Sequence, residues 1–164
     1  HRAWHAGASY WKGARDINAR SIGIEIVNPG HEFGYRAFPL RQMEAVADLA
    51  CEILSRHAIP PERVLGHSDV APLRKEDPGE LFDWHWLAGQ GVGHWAEPKP
   101  CGWSDAEFET RLAEYGYDLA TPEARRAAIT AFARHFRPAN LGPVPDAGLK
   151  AVLNGLIDSL GAKA

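Results

Sequence analysis

Cysteine is scarce in this chain: Cys51 and Cys101 are the two in 164 residues. Two thiols make at most one bridge, so a disulfide framework is excluded as the basis of the fold. Excess positive charge is also missing. Eighteen Lys and Arg face 21 Asp and Glu, a formal net charge of -3, and the basic surplus expected of a nucleic-acid binder is absent. No run reaches the roughly 18 uninterrupted apolar residues of a membrane span. Internal repeats and low-complexity tracts are missing too, which argues against a solenoid and against a disordered chain. An apolar share of 45% with 24% charged residues fits an ordinary globular protein: one domain, or a small domain with a module attached. The chain starts on the dense segment His1-Arg2-Ala3-Trp4-His5, with no initiator Met, charged n-region or apolar h-region. A mature terminus is more often polar and loose, so the expectation is that sequence has been removed ahead of it.

Histidine and tryptophan are plentiful. Seven of the eight His fall in the first 94 residues, and only His135 lies beyond; metal or acid-base chemistry is therefore sought in the first part. Ser21-Ile22-Gly23-Ile24-Glu25-Ile26-Val27-Asn28 is β-branched and closed by Pro29-Gly30, which reads as a strand and turn. Strand alternation puts Glu25 on one face with Gly23 and Val27. Pro39 to Ala58 repeats apolar residues at helical spacing and stops at Ile59-Pro60-Pro61. Arg63 to Gly66 is a short strand candidate, His67 to Gly79 a proline-bearing loop, and Glu80 to Leu87 a helix. Residues 89–102 hold Gly and Pro without an apolar period and read as a linker. Three helices are expected after it. Ser104 with Glu107 forms a capping-box pattern, Thr121-Pro122 an N-cap followed by Pro at the first helical position, and Leu149 to Leu160 an apolar stripe.

The loop Gly66-His67-Ser68-Asp69-Val70-Ala71-Pro72-Leu73-Arg74-Lys75-Glu76-Asp77-Pro78-Gly79 carries the strongest chemical signal. His67 and Asp77 are both good zinc donors, and a catalytic zinc takes three protein ligands and leaves a position open for water. Lys75 is a cation placed to stabilise an oxyanion nearby. A hydrogen-bonded His-Asp pair without metal is the competing reading. Glu25 is either a general base or a buried carboxylate bonded to a neighbour, for which burial would raise the pKa. His5 is a groove wall or a hydrogen-bonded core residue; Trp4 and Trp11 stack on a sugar or pack in the core; Asn28 lines a groove or closes its strand. Asp69 reads as a turn-former. Trp84 and Trp86 are expected to pack beneath the loop, His31, His57 and His94 to lie at the surface, and Cys51 to be a free buried thiol.

The same loop resembles the signature of the zinc-dependent, type 2 N-acetylmuramoyl-L-alanine amidases, a family similar to peptidoglycan recognition proteins. Arg2-Ala3-Trp4-His5-Ala6-Gly7 and Ser21 to Asn28 resemble two further family segments, in the same order. The resemblance covers roughly residues 2 to 88. It implies an α/β fold, a central mixed β-sheet flanked by helices, followed by a small three-helix module. It implies residues 1–88 as a catalytic domain, 89–102 as linker, and 103–164 as a helical module similar to the peptidoglycan-binding one of the periplasmic, outer-membrane-anchored branch. It implies Zn2+ held by His67 and Asp77, Glu25 as general base and then acid, Lys75 beside the attacked carbonyl, and Trp4, His5 and Asn28 toward substrate. The family's third ligand is a His on an early strand whose place neither His1 nor His5 occupies, so the chain is expected to be N-terminally truncated. The implied substrate is peptidoglycan or muropeptide and the chain a monomer. The competing function is a peptidoglycan-recognition module without catalysis.

Overall fold

The computed structural model describes residues 3–162. His1 and Arg2, named above, lie outside the described residues.

Helices are the main regular structure of the fold. The sheet found among the described residues is a two-stranded hairpin, β1 (Tyr10–Trp11) and β2 (Ala14–Arg15). Lys12 and Gly13 turn it, both with positive φ (46° and 78°), the conformation that matches the twist of a tight hairpin. The helices are α1 (Leu40–Arg56), α2 (His67–Val70), α3 (Trp84–Gly89), α4 (Asp105–Tyr115), α5 (Pro122–Phe136) and α6 (Ala147–Gly161). No helix among the described residues is long and apolar enough to cross a membrane.

Helix boundaries follow the local signals. α4 has the capping box, with the Ser104 side chain accepting from the Glu107 N–H and Glu107 Oε2 accepting from the Ser104 N–H. Thr121 caps α5, with Pro122 at its first position. α1 buries Met43, Ala47 and Ala50 on one face, against Phe82, Trp84 and Leu87.

Four expectations need correction. Ser21 to Asn28 forms no strand: no ladder partner lies beside it among the described residues, and Ile22, Ile24 and Val27 are exposed. A strand needs inter-strand hydrogen bonds, which β-branched composition cannot supply by itself. Arg63 to Gly66 likewise forms no strand among the described residues; its first residue closes a 3-10 turn, Pro61–Arg63. His94 is buried, bonded to the Tyr115 hydroxyl (2.8 Å) and to Ser159 Oγ (2.8 Å). Cys51 is exposed, because the buried face of α1 runs through Ala50 and Ala47 instead.

The stretch 89–102 is packed along much of its length. Val92 is 1% exposed. The Lys99 N–H donates to the Ala151 carbonyl of α6, and Gly155 meets the Glu97 carbonyl so closely that a Cβ has no room. A larger core then joins the early and late parts of the chain. Trp11, Val70 and Ala71 share it with Phe108, Tyr117 and Phe132. Each such aromatic or aliphatic side chain, fully buried, contributes about 1.5–3 kcal/mol.

Candidate active site

His67 opens α2 and Asp77 lies on the loop that follows. The Ser68 N–H donates to the Asp77 carbonyl (2.9 Å), which brings the two segments side by side. His67 Nδ1 then sits 3.2 Å from Asp77 Oδ2, and its Nε2 sits 3.2 Å from the Ala6 carbonyl oxygen. An imidazole nitrogen and a carboxylate oxygen at that distance form a hydrogen-bonded pair, and both are good metal donors. A metal-binding His commonly donates its other N–H to a backbone carbonyl, which is the arrangement at Ala6. The hydrogen bond from His67, with help from the nearby Lys75, holds the Asp77 carboxyl below its ordinary range despite partial burial.

Two donors therefore fit a zinc site. Among the described residues no group of three His, Cys, Asp or Glu gathers to complete one.

A cleft of about 810 Å³ is lined by Trp4, His5, Asn18, Ser21 and Glu25 among others, and neither His67 nor Asp77 is in its lining. It brings together three residues singled out by sequence: Trp4, His5 and Glu25. Glu25 is exposed, rather than buried as expected. His5 Nε2 lies 2.7 Å from Ser21 Oγ, whose hydroxyl donates to the Ile17 carbonyl (2.7 Å). The imidazole packs where a Cβ on Gly23 would stand, so a side chain there would push it out. Ala6 follows His5 of the cleft wall in the chain, and its carbonyl oxygen is the one 3.2 Å from His67 Nε2. Asn28 stays out of the cleft: its Nδ2 donates to the Arg36 carbonyl (2.8 Å) and its Oδ1 accepts from the Gly30 N–H (3.1 Å). Trp11 is buried edge-on to Tyr115 and Tyr117, away from the cleft lining.

Several supporting residues were missed from sequence. Arg74 Nη2 donates to the carbonyls of Ala6 (3.1 Å) and Ala8 (2.8 Å), tying the first segment to the loop. Gly7 makes this approach feasible, with φ of 59° and Arg74 in the space of a Cβ. The Tyr35 hydroxyl donates to the Pro78 carbonyl (2.8 Å) and accepts from the Leu81 N–H (2.8 Å). Trp84 packs against the loop as expected, close to the Cα of Gly66. Asp69, read as a turn-former, does accept from the Gly66 N–H, but it also bonds to His135 and Tyr117. His135 had drawn no role at all. Long-range partners leave no local pattern, so none of these contacts had a sequence signal.

Residues 1–80 match the model of the N-acetylmuramoyl-L-alanine amidase family. The solved complex of the amidase AmiD from E. coli, with its substrate anhydro-N-acetylmuramic acid-L-Ala-D-gamma-Glu-L-Lys, is 38% identical with a TM-score of 0.88, and the match covers 98% of this chain and 70% of that one. The chain belongs to the N-acetylmuramoyl-L-alanine amidase family. In sequence, AmiD of Escherichia coli K12 is 38% identical over 178 residues, 97% of this chain and 64% of its own length. This amidase-family chain thus spans under two thirds of that relative. AmpDh3 from Pseudomonas aeruginosa is 34% identical with a TM-score of 0.90, over 98% of this chain and 70% of that one. The match to the two solved structures runs through α4, α5 and α6, well beyond the residues of the family model.

Proposed function

We propose that the protein hydrolyses the amide bond between N-acetylmuramic acid and L-alanine in peptidoglycan or muropeptides, with zinc. The pairing of His67 Nδ1 with Asp77 Oδ2, two good metal donors 3.2 Å apart, carries this reading. The kinship with AmiD, solved with an anhydromuramoyl peptide, supports the substrate class. His67 and Asp77 would hold the metal, which when bound acidifies a water and polarises a carbonyl. The Glu25 carboxylate takes the water's proton and returns it to the departing amine of L-alanine. The Lys75 ammonium stabilises the oxyanion of the tetrahedral intermediate. Trp4 and His5 form a wall along which sugar and peptide lie, and Asn28 supports the turn at its end.

The central mixed sheet belongs to the same proposal. Ser21 to Asn28 is the segment that would enter it, being β-branched with exposed apolar side chains. So do action in the periplasm, a monomeric state and a wall-binding role for residues 103–164; their support is the resemblance.

The test is Glu25→Ala in the full-length protein. Release of peptide from a muropeptide should fall at least about a hundredfold, the scale of a lost general base, while bound zinc per chain stays unchanged. Full turnover by the variant would remove Glu25 from this role. One observation favours a second reading, recognition without catalysis: among the described residues the metal donors number two where a catalytic site takes three. A pure recognition protein would retain muropeptide and release no peptide at any zinc concentration.

A further inference from the structure

α2 is one turn long, and four residues do not hold a helix by their own hydrogen bonds. His67 is its first residue, so whatever fixes α2 also fixes the imidazole. The fixing group is Asp69, 1% exposed. Its Oδ2 accepts from the Gly66 N–H (2.7 Å) and lies 2.7 Å from His135 Nδ1; its Oδ1 accepts from the Tyr117 hydroxyl (2.6 Å). Two of these three donors come from the far part of the chain. His135 is in the last turn of α5, and Tyr117 follows α4. His135 is itself held flat against Trp84, with ring centroids 4.0 Å apart and planes 18° apart. Gly66 closes the arrangement, since a Cβ there would meet Pro78 and Asp69. Arg134, next to His135, adds ion pairs to Glu76 (3.6 Å) and Glu80 (3.5 Å) on either side of Asp77.

We propose that Asp69, His135 and Tyr117 are positioning residues through which the C-terminal helices hold His67 against Asp77. This rests on reading His67 and Asp77 as metal ligands. On this view residues 103–164 act on the site itself, whatever else they bind. The path is short: α5 fixes Asp69, Asp69 fixes the start of α2, and the Ser68 N–H fixes Asp77. Loss of one such outer partner of a metal ligand typically costs 10- to 100-fold in metal affinity.

The experiment uses three variants of the full-length protein. His135→Leu removes the donor, His135→Asn restores an N–H at the Nδ1 position, and Leu153→Ala empties a position of the shared core without removing a hydrogen bond of the network. Two quantities are read: zinc affinity by competition with a chelating indicator, and metal-free amide exchange at Gly66 and Ser68. His135→Leu should weaken zinc binding about 10- to 100-fold and speed exchange at both amides, His135→Asn should recover most of each, and Leu153→Ala should change neither. Unchanged affinity and exchange in His135→Leu, or equal effects from Leu153→Ala, would overturn the proposal. If His135→Leu does not fold, Tyr117→Phe takes its place, losing one bond to Asp69 at nearly constant volume. Unchanged exchange at Gly66 in that variant would also overturn it. Exchange reads the clamp without metal, so a wild-type protein that bound no zinc would count against the ligand reading alone.

Discussion

At the scale of single residues, the loop is held by groups that bond to main chain. Tyr35 is the clearest. Its hydroxyl bridges Pro78 and Leu81, and it occupies the space where a Cβ on Gly79 would stand. Burial pushes its phenol above the ordinary 10.0, as burial does more strongly for Tyr115 and Tyr117. The sign follows. Below pH 10 the phenols are neutral in both states and their contribution is complete. Above it the unfolded chain ionises first and is thereby stabilised, so stability of the fold decreases as pH rises. Tyr35→Phe should therefore cost about 1–3 kcal/mol at pH 7, two net hydrogen bonds, and make the alkaline loss shallower by one group. Urea unfolding of both proteins between pH 7 and 11 checks this; parallel curves would show that Tyr35 does not contribute.

At the scale of elements, the helices were legible and the sheet was not. α4, α5 and α6 carry their stops and starts in adjacent residues: Ser104 with Glu107, Thr121 with Pro122, the stripe through Leu149, Val152 and Leu156. Strand status at Ser21 to Asn28 depends on a neighbour, which a local pattern does not contain. The same division runs through the candidate site. His67, Asp77 and Lys75 stood out because they share one loop, and Trp4, His5 and Glu25 because their segments resemble a family. Asp69's partners did not, since His135 is 66 positions away. α6 offers the test at this scale. Asp146 caps it, accepting from the Leu149 N–H (2.8 Å) and pairing with Arg137 (2.6 Å). The Arg137 hydrogen bonds, with that N–H, hold the Asp146 carboxyl below its ordinary 3.8. A depressed carboxyl stabilises the fold above the unfolded-state pKa and loses that contribution as pH falls through the folded one. Asp146→Ala should cost about 1 kcal/mol at pH 7, and the gap to wild type should narrow below about pH 4. Thermal melts at pH 7 and pH 3 measure it; a gap constant with pH would show that the carboxylate charge is not what caps α6.

At the scale of the whole molecule, the question is whether the early and late parts unfold separately. Their contacts argue that they do not. Phe132 of α5 lies in the larger core with Trp11 and Val70 from the early part. Trp84 of the smaller core stacks on His135 of α5, and Trp95 packs against both cores. A core divided between segments gives neither one a complete apolar interior. Met43 provides a probe, since it is the single methionine and sits in the smaller core on α1. Its labelled methyl signal should disappear at the same temperature as the far-ultraviolet helix signal, in one cooperative transition. Phe132→Ala, which empties a fully buried position, should cost about 3–5 kcal/mol and lower both midpoints together. Were the Met43 transition to stay in place while the helix signal shifted, the two parts would be separate folding units. The C-terminal helices could then not be the support on which the geometry at His67 depends.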